Sequence, residues 1–536
     1  MEEVTDRIAA GETAAQIVEK AKAEGTGYKA SVEQMYYGNQ QFLFVYEQFD
    51  DVRLVAAPPS SIGKFGGDTD NWMWPRHTGD FSMFRVYASK DNRPAAYSPQ
   101  NVPYRPKKHF SISTKGVKEG DFTMIYGFPG NTQEYILSDA VAYIAERSDP
   151  AKIAVRTGRL DIITKAQESD PALRIHYAAK HASIANAWKK WQGEALGIDR
   201  RGTVAAKFDY ETQFGLWSVG RPEYAGVVMG LRAEYDRIMD AYFAYEITRE
   251  TLSTLPAAYT PEERAEECFA RRKFAEQALW RHAFREYGRC PKVYRTPSYA
   301  EGMARYKSPE AYADALFEAV WEGSDSVAMQ PAVRLREETK RMLDHISWML
   351  GTKSLRNLNS KILNELYTTY IKGLREWDRE RAFYPDANLT LRVAYGSVAG
   401  YEYADGEYHK PQTTLDGIIA KDNPEIYDYD IPQSLRDLYA SKNYGRWGTV
   451  IDGRRTVPVC FLATNHTTGG NSGSPVLNAG GELIGINFDR TWRSTMSDIA
   501  FDPAICRNIA VDIRYVLFVV DRVGGAGYLL KEMTLK

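Results

Sequence analysis

The sequence predicts a mixed α and β fold in which two β regions flank a long helical one, a pattern that fits two β-barrels with a mostly helical domain inserted between them. Three observations predict it. From about Gln34 to Gly130 the texture is strand-like, from about Thr132 to Glu380 strand signals nearly vanish, and from about Tyr384 onward alternation returns. The chain has 536 residues, 44% hydrophobic and 12% aromatic, so it can bury large cores and exceeds the length of one ordinary domain. The expected segments are 1–131, 132–383 and 384–536.

The chain opens on MEEVTDRIAAGETAAQIVEK, which is acidic and helix-like. Next come QMYY, the turn signal Gly38-Asn39 and the alternating QFLFVYEQF, then FSMFRVYA further on; these read as strands. In the middle, Leu231, Tyr235, Ile238, Met239 and Tyr242 recur at helical spacing and form one apolar face. Thr260-Pro261-Glu262-Glu263 reads as a capping box with proline at the first helical position, and Ser308-Pro309-Glu310 is a similar start. The β texture returns in LTLRVAYGSV, VPVCFLAT, PVL and ELIGINF, the last two joined by the turn-forming Asn478-Ala479-Gly480-Gly481. A final apolar helix, VDIRYVLFVVDRV, is expected to end at Gly524-Gly525.

Composition excludes several function classes. The 68 basic and 70 acidic side chains nearly cancel, and no basic run carries interleaved aromatics, so no nucleic-acid partner is expected. No apolar run reaches the ~18 residues that would suggest a membrane span. The four cysteines, Cys268, Cys290, Cys460 and Cys506, lie far apart without a CxxC pair and read as small buried residues. Neither HExxH spacing nor a phosphate-cradling glycine loop occurs, so neither a metal nor an organic cofactor is expected. The N-terminus lacks the basic patch, apolar core and cleavage site of a signal peptide.

Chemistry concentrates in Gly470-Asn471-Ser472-Gly473-Ser474-Pro475, which lies between two apolar strands. Glycines on both sides of Ser472 allow a sharp turn that exposes the hydroxyl and aims the amides of Gly470 and Ser472 at one point, where an oxyanion could be held. Ser472 is thus a candidate nucleophile and Gly470 a candidate oxyanion-hole donor. A plain glycine and serine turn is the alternative.

GNSGSP resembles the nucleophile loop of chymotrypsin-fold serine peptidases, whose chain order is His, Asp, Ser. That resemblance makes Asp80, in TGDFSMFRVY, the candidate catalytic aspartate. The strings GGDTDNWMWPRHTGDFSMFRVYA, IYGFPG, FYPDANLTLRVAYGSVAGY, TNHTTGGNSGSP and IGINFDRTW together resemble the dipeptidyl-peptidases of peptidase family S46, over nearly the whole chain. The resemblance implies a chymotrypsin-like double β-barrel with an inserted helical capping domain, and removal of dipeptides from peptides with a free N-terminus. It further implies that Asp489, Asn71 and Trp72 hold the substrate ammonium. Arg490 resembles the Asp/Glu-specific branch, dipeptidyl-peptidase 11, and a guanidinium there could pair with an acidic second residue; an intramolecular salt bridge is the alternative. A homodimer and a periplasmic or cell-surface location are what the family suggests.

The family places its histidine upstream of the aspartate, but none of the eight histidines precedes His77. His77 is tethered too close to Asp80 to reach Ser472 as well, and His466 belongs to the serine loop and reads as a loop-shaping residue. His109, His176, His181, His282, His345 and His409 have no motif context. The first barrel is therefore expected to be incomplete, with the base in an N-terminal part that this sequence lacks. Such a chain is expected to be poorly active and aggregation-prone. The alternative is a peptide-binding pseudoenzyme of the same fold.

Overall fold

The computed structural model describes all residues except Thr26, Ser324, Asp325, Lys353, Ser354 and Arg356. The chain forms two compact units, one from Met1–Tyr135 with Phe383–Lys536 and the other from Ile136–Ala382. Among the described residues no helix is long and apolar enough to cross a membrane.

In the first unit, β1 (Glu2–Glu3), β2 (Tyr28–Met35) and β3 (Gln40–Glu47) make a three-stranded sheet in the order β1-β3-β2. The link between β2 and β3 is wider than the expected Gly38-Asn39 turn. Met35 pairs with Gln40, and Tyr36, Tyr37 and Gly38 all lie at positive φ, so the two tyrosines belong to the loop. β4 (Val52–Ala56), β5 (Met83–Ala88) and β6 (Val102–Pro103) form a second three-stranded sheet in chain order.

The main sheet has seven strands. It takes β7 (Phe122–Gly127) and β8 (Arg392–Ser397) and, after the small hairpin β9 (Tyr401–Ala404) and β10 (Glu407–His409), β11 (Gln412–Thr414). A second hairpin, β12 (Thr449–Ile451) and β13 (Arg454–Thr456), precedes β14 (Pro458–Ala463), β15 (Pro475–Leu477), β16 (Leu483–Arg490) and β17 (Asn508–Asp512). The order β11-β14-β17-β16-β15-β7-β8 is antiparallel throughout.

The expected double β-barrel, its first barrel incomplete, is not formed as closed barrels: each sheet of the described residues has two end strands in its order, and β8 meets β14 outside the strand ladders, through the isolated bridge Val398–Ala463 and a bond from Thr464 N to Ser397 O at 2.9 Å. β7, from the first β segment, is inserted between β15 and β8 and so belongs to the sheet that carries the serine loop. Alternation reports which side of a strand is buried; it does not report the strand's partner.

β14 is buried along its whole length and β17 likewise, as a strand covered on both faces must be. On one face Cys460, Leu462, Ile509 and Val511 join Phe65, Tyr515 and Phe518 in a large core of this unit. On the other face Phe461, Ile125, Val476 and Ala510 form a second cluster. Each such side chain contributes about 1.5–3 kcal/mol by leaving water. The C-terminal helix starts at Ile513, later than expected, because Val511 and Asp512 complete β17; Asp512 then caps the helix by accepting from Arg514 N. The helical stretch ends at Gly524, in a π-helical turn over Val519–Val523.

The second unit is helical among its described residues. Its longer helices are Asp149–Ser169, Pro171–Arg200, Thr203–Ser218, Val227–Glu250, Lys273–Tyr287, Pro309–Glu322, Ser326–Met349 and Lys361–Trp377. Leu231, Tyr235, Ile238 and Tyr242 are buried on one face of Val227–Glu250, as their spacing requires. The reciprocal box at Thr260 and Glu263 is formed, and Ser308 caps Pro309–Glu322 by accepting from Ala311 N.

Candidate active site

The serine loop leaves β14 at Ala463 and returns to the sheet at Pro475. Asn471 shapes it: its Oδ1 accepts from Thr468 N at 3.1 Å and its carbonyl accepts from Ser474 N at 3.0 Å. Asn487 of β16 holds the other end, accepting from Gly473 N at 2.8 Å and donating to the Asn471 carbonyl at 3.2 Å. Gly470 has φ +104°, and a Cβ there would lie 2.4 Å from the Phe128 carbonyl oxygen and 2.8 Å from Gly130 N. Only glycine fits against the end of β7 in that conformation.

The result is an exposed Ser472 whose Oγ makes one long hydrogen bond, 3.3 Å to the Phe488 carbonyl. Among the described residues the amides of Gly470 and Ser472 donate to no acceptor. A hydroxyl beside two uncommitted amides is the arrangement that an acyl-transfer oxyanion needs.

β16 continues from Phe488, under Ser472, to Asp489 and Arg490. Asp489 Oδ2 accepts from Arg76 Nη1 at 2.7 Å and from Trp72 N at 3.3 Å, while Oδ1 accepts from Arg490 N at 2.8 Å. The side chains of Arg76 and Asp489 are each 8% exposed, so this ion pair is screened little by water. Trp72 is held at φ 66°, a conformation costly for a bulky residue, and this places its amide on the carboxylate. Asn71 precedes it on the same loop and is half-buried.

Asp80 is exposed and, among the described residues, has no hydrogen-bond partner. Surrounding protein raises its carboxyl above the ordinary value, the Arg76 charge opposes this and Asp489 adds to it. Asp80 and Asp489 therefore share the field of one arginine.

The two histidines nearest in sequence are engaged elsewhere. His77 is 5% exposed, and a Cβ on Gly417 would lie 2.0 Å from its Nε2, so the ring is packed on that glycine. Burial, reinforced by Lys421 and Arg76, holds His77 neutral with its pKa lowered to about 3, and among the described residues its Nδ1 has no hydrogen-bond partner. His466 Nε2 donates to the Ser497 carbonyl at 2.9 Å, its Nδ1 lies 3.2 Å from Glu134 Oε1, and the ring stacks on Phe501 at 4.5 Å. Its pKa is lowered to about 4, chiefly by burial. Among the described residues no histidine is hydrogen-bonded to Ser472 or Asp80.

Arg490 lies behind the serine loop and is 4% exposed. Its Nη1 donates to Asp498 Oδ1 at 2.6 Å, Ser497 Oγ at 2.9 Å and Thr467 O at 3.1 Å; Nη2 donates to Asp498 Oδ2 at 2.8 Å. Its guanidinium carbon sits 5.6 Å from the centre of the Trp72 ring. The intramolecular salt bridge weighed as an alternative is thus formed, and Arg490 also faces the side of the serine loop.

The structure brings Ser472, Gly470, Asp489, Trp72 and Arg490 around one stretch of β16, and puts Asp80 within the influence of Arg76. Sequence reasoning missed Arg76 and Asp498. An arginine in WPRH and an aspartate ending WRSTMSD carry no local signal, because their partners are distant or require a particular turn. Elsewhere, His176, Glu266 and Cys268 offer ligand atoms within 4.8 Å of one another in the helical unit. Arg272 Nη1 lies 2.7 Å from His176 Nε2 and 3.2 Å from Glu266 Oε2, so a fixed positive charge already serves that cluster.

Comparison with known proteins places these residues in context. The Peptidase S46 family model matches residues 2–267 and 260–535. An Asp/Glu-specific dipeptidyl-peptidase of Capnocytophaga gingivalis is 42% identical over 567 residues, covering 97% of this chain and 78% of that protein. A dipeptidyl-peptidase 7 of Phocaeicola vulgatus is 35% identical over 550 residues, covering 95% of this chain and 76% of that protein. The crystal structure of Porphyromonas endodontalis DPP11 in complex with dipeptide Arg-Glu matches with a TM-score of 0.84 at 32% identity, over 100% of this chain and 84% of that one.

Proposed function

The chain belongs to peptidase family S46, and on that footing we propose that it is a serine-type dipeptidyl-peptidase that releases dipeptides from peptide N-termini, with Asp or Glu preferred at the second residue. The observation that carries this reading is the exposed Ser472 beside the uncommitted amides of Gly470 and Ser472. In the proposed reaction Ser472 Oγ attacks the carbonyl carbon of the second peptide bond, and the two amides hold the oxyanion. The leaving amine takes the serine proton by way of a base, and water then releases the dipeptide from the acyl ester.

The dipeptide length is set by how far from Ser472 the substrate ammonium is held. The family resemblance assigns the Asp489 carboxylate, with Asn71 and Trp72, to the ammonium, and the position of Asp489 directly after Phe488, whose carbonyl touches Ser472, supports that assignment. Arg490 is assigned to the acidic side chain of the second residue, and Asp80 to orienting the base. His77 and His466 are neutral and bound elsewhere, so the base of this reaction is neither of them.

The second reading, a peptide-binding protein of this fold that does not cut, rests on a different observation: His77 packs on Gly417 and His466 bonds to Ser497, and among the described residues neither is hydrogen-bonded to Ser472. A polypeptide of these residues alone is expected to bind dipeptides and to hydrolyse slowly, at a rate that oxyanion stabilisation and binding sustain without a histidine base. Fluorogenic dipeptide substrates ending in Glu or Leu, assayed with the wild type and Ser472→Ala, separate the two. Slow turnover of the Glu substrate that Ser472→Ala abolishes supports the peptidase. Dipeptide binding without Ser472-dependent turnover supports the second reading, and the absence of binding refutes both.

A further inference from the structure

We propose that Asp498 is a specificity-determining residue of this site: its carboxylate occupies the fork of Arg490 in competition with an acidic side chain of the substrate, and so limits how strongly the pocket prefers an acid. The inference rests on the reading of Arg490 given above. Both Nη atoms of Arg490 meet Asp498, at 2.6 and 2.8 Å, in the side-by-side geometry by which a guanidinium binds any carboxylate. An arriving Asp or Glu side chain seeks the same donors.

The carboxylate is fixed in place. Asp498 ends the 3-10 turn Trp492–Asp498, and its carbonyl accepts from Gln133 N at 2.6 Å. The preceding Ser497 is pinned by His466 at its carbonyl and touches Arg490 with its Oγ at 2.9 Å. Arg490, for its part, is also held by neutral groups, the Thr467 carbonyl, Ser497 Oγ and the face of Trp72. Neutralising Asp498 therefore leaves the guanidinium where it is.

Electrostatics gives the direction of the effect. Of its titratable neighbours, His466 has its pKa lowered to about 4 and the Cys506 thiol is pushed up to about 12, both chiefly by burial, so both are uncharged; Glu134, whose Oε1 lies 3.2 Å from His466 Nδ1, is a further buried carboxylate nearby. Asp489 is committed to Arg76. The pair Arg490–Asp498 thus brings no net charge to the pocket, and an acidic substrate must either displace Asp498 or put a second carboxylate on one guanidinium. Like charges at that spacing in a recess poor in water repel strongly. With Asp498 neutral, the same acid meets a guanidinium from which the competing bidentate carboxylate is gone.

The test is calorimetric titration of the full chain with the dipeptides Val-Glu and Val-Gln, which differ only in the charge of the second side chain and whose binding needs no catalysis. The readout is the ratio of dissociation constants, Val-Gln over Val-Glu, for the wild type, Asp498→Asn, Asp498→Ser and Arg490→Gln. Asp498→Asn is expected to raise the ratio about tenfold or more, the size of one charge-assisted hydrogen bond, with Val-Gln affinity kept within about threefold. Asp498→Ser gives the same direction and stands in should the asparagine variant misfold. A ratio unchanged or lowered in both variants overturns the inference; if Arg490→Gln meanwhile abolishes the wild-type preference, the role of Arg490 survives. A wild-type preference that Arg490→Gln leaves intact overturns the reading of Arg490 and this inference together.

Discussion

Asp489→Asn tests the centre of the site. The substitution keeps shape and one carbonyl oxygen, so either Trp72 N or Arg490 N retains an acceptor. Arg76 loses its charged partner: what remains is Thr78 Oγ1 at 2.7 Å, the Asp70 carbonyl at 3.0 Å and the Phe488 ring at 5.2 Å. Removing one member of a buried pair costs about 3–5 kcal/mol, and the surviving neutral acceptors and aromatic face recover about 1 kcal/mol. With both side chains 8% exposed, a loss of about 2–4 kcal/mol is expected. The loss should fall on the unit that carries the site. Urea unfolding followed by pulsed cysteine alkylation resolves it, because Cys460 and Cys506 are buried in the first unit and Cys268 and Cys290 in the second. The midpoint for the first pair should fall and that for the second pair should stay. Arg76→Met supplies the other arm of a double-mutant cycle, and the double variant should be less destabilised than the sum of the singles by about 2 kcal/mol or more. A single-variant loss below about 0.5 kcal/mol, the value of an exposed pair, would refute the claim that this ion pair is buried and mutually dependent.

Two further outcomes follow from the geometry. Gly470→Ala forces a Cβ to within 2.4 Å of the Phe128 carbonyl at φ +104°, so the loop must move and carry its amide with it; residual Ser472-dependent hydrolysis should fall about a hundredfold or more while dipeptide binding persists, and an unchanged rate would remove Gly470 from the oxyanion hole. His77 and His466 are held neutral in the folded chain, with pKa values lowered to about 3 and about 4, while the unfolded chain takes up their protons near 6.5. Unfolding therefore gains protons as the pH falls, and stability should drop from about pH 6.5 downward, by about 2 kcal/mol for each ring at pH 5. Urea midpoints of the first unit at pH 7 and pH 5, compared with His466→Gln, check this; a variant with the same pH dependence as the wild type would show that His466 titrates normally.

What could be read from the sequence was local. The caps at Thr260 and Ser308 form because donor and acceptor lie three residues apart. The turn at Asn478 forms because its own side chain accepts from Gly480 N and Glu482 N. The serine loop follows from its glycines and from Asn471, whose partners are its neighbours. The apolar run ELIGINF marked β16 as far as Phe488, and the strand runs on through Asp489 and Arg490. Non-local pairing was not legible. The strand-like texture from Gln34 to Gly130 did not reveal that Phe122–Gly127 pairs with both β15, which follows the serine loop, and β8.

Arg76 meets Asp489 across 413 positions, and no pattern in WPRH announces it. Asp498 lies only 8 positions from Arg490, yet it grips the guanidinium because the 3-10 turn folds back, which depends on Gln133 and His466 holding its end. The sequence by itself thus determined the elements, the nucleophile loop and the identity of the candidate groups, since these depend on hydrogen bonds and spacings within a few residues. Only the tertiary structure decided which charges neutralise one another, that His77 is buried on Gly417 and away from Ser472, and that Arg490 is already paired, because each depends on burial and on partners that chain order does not encode.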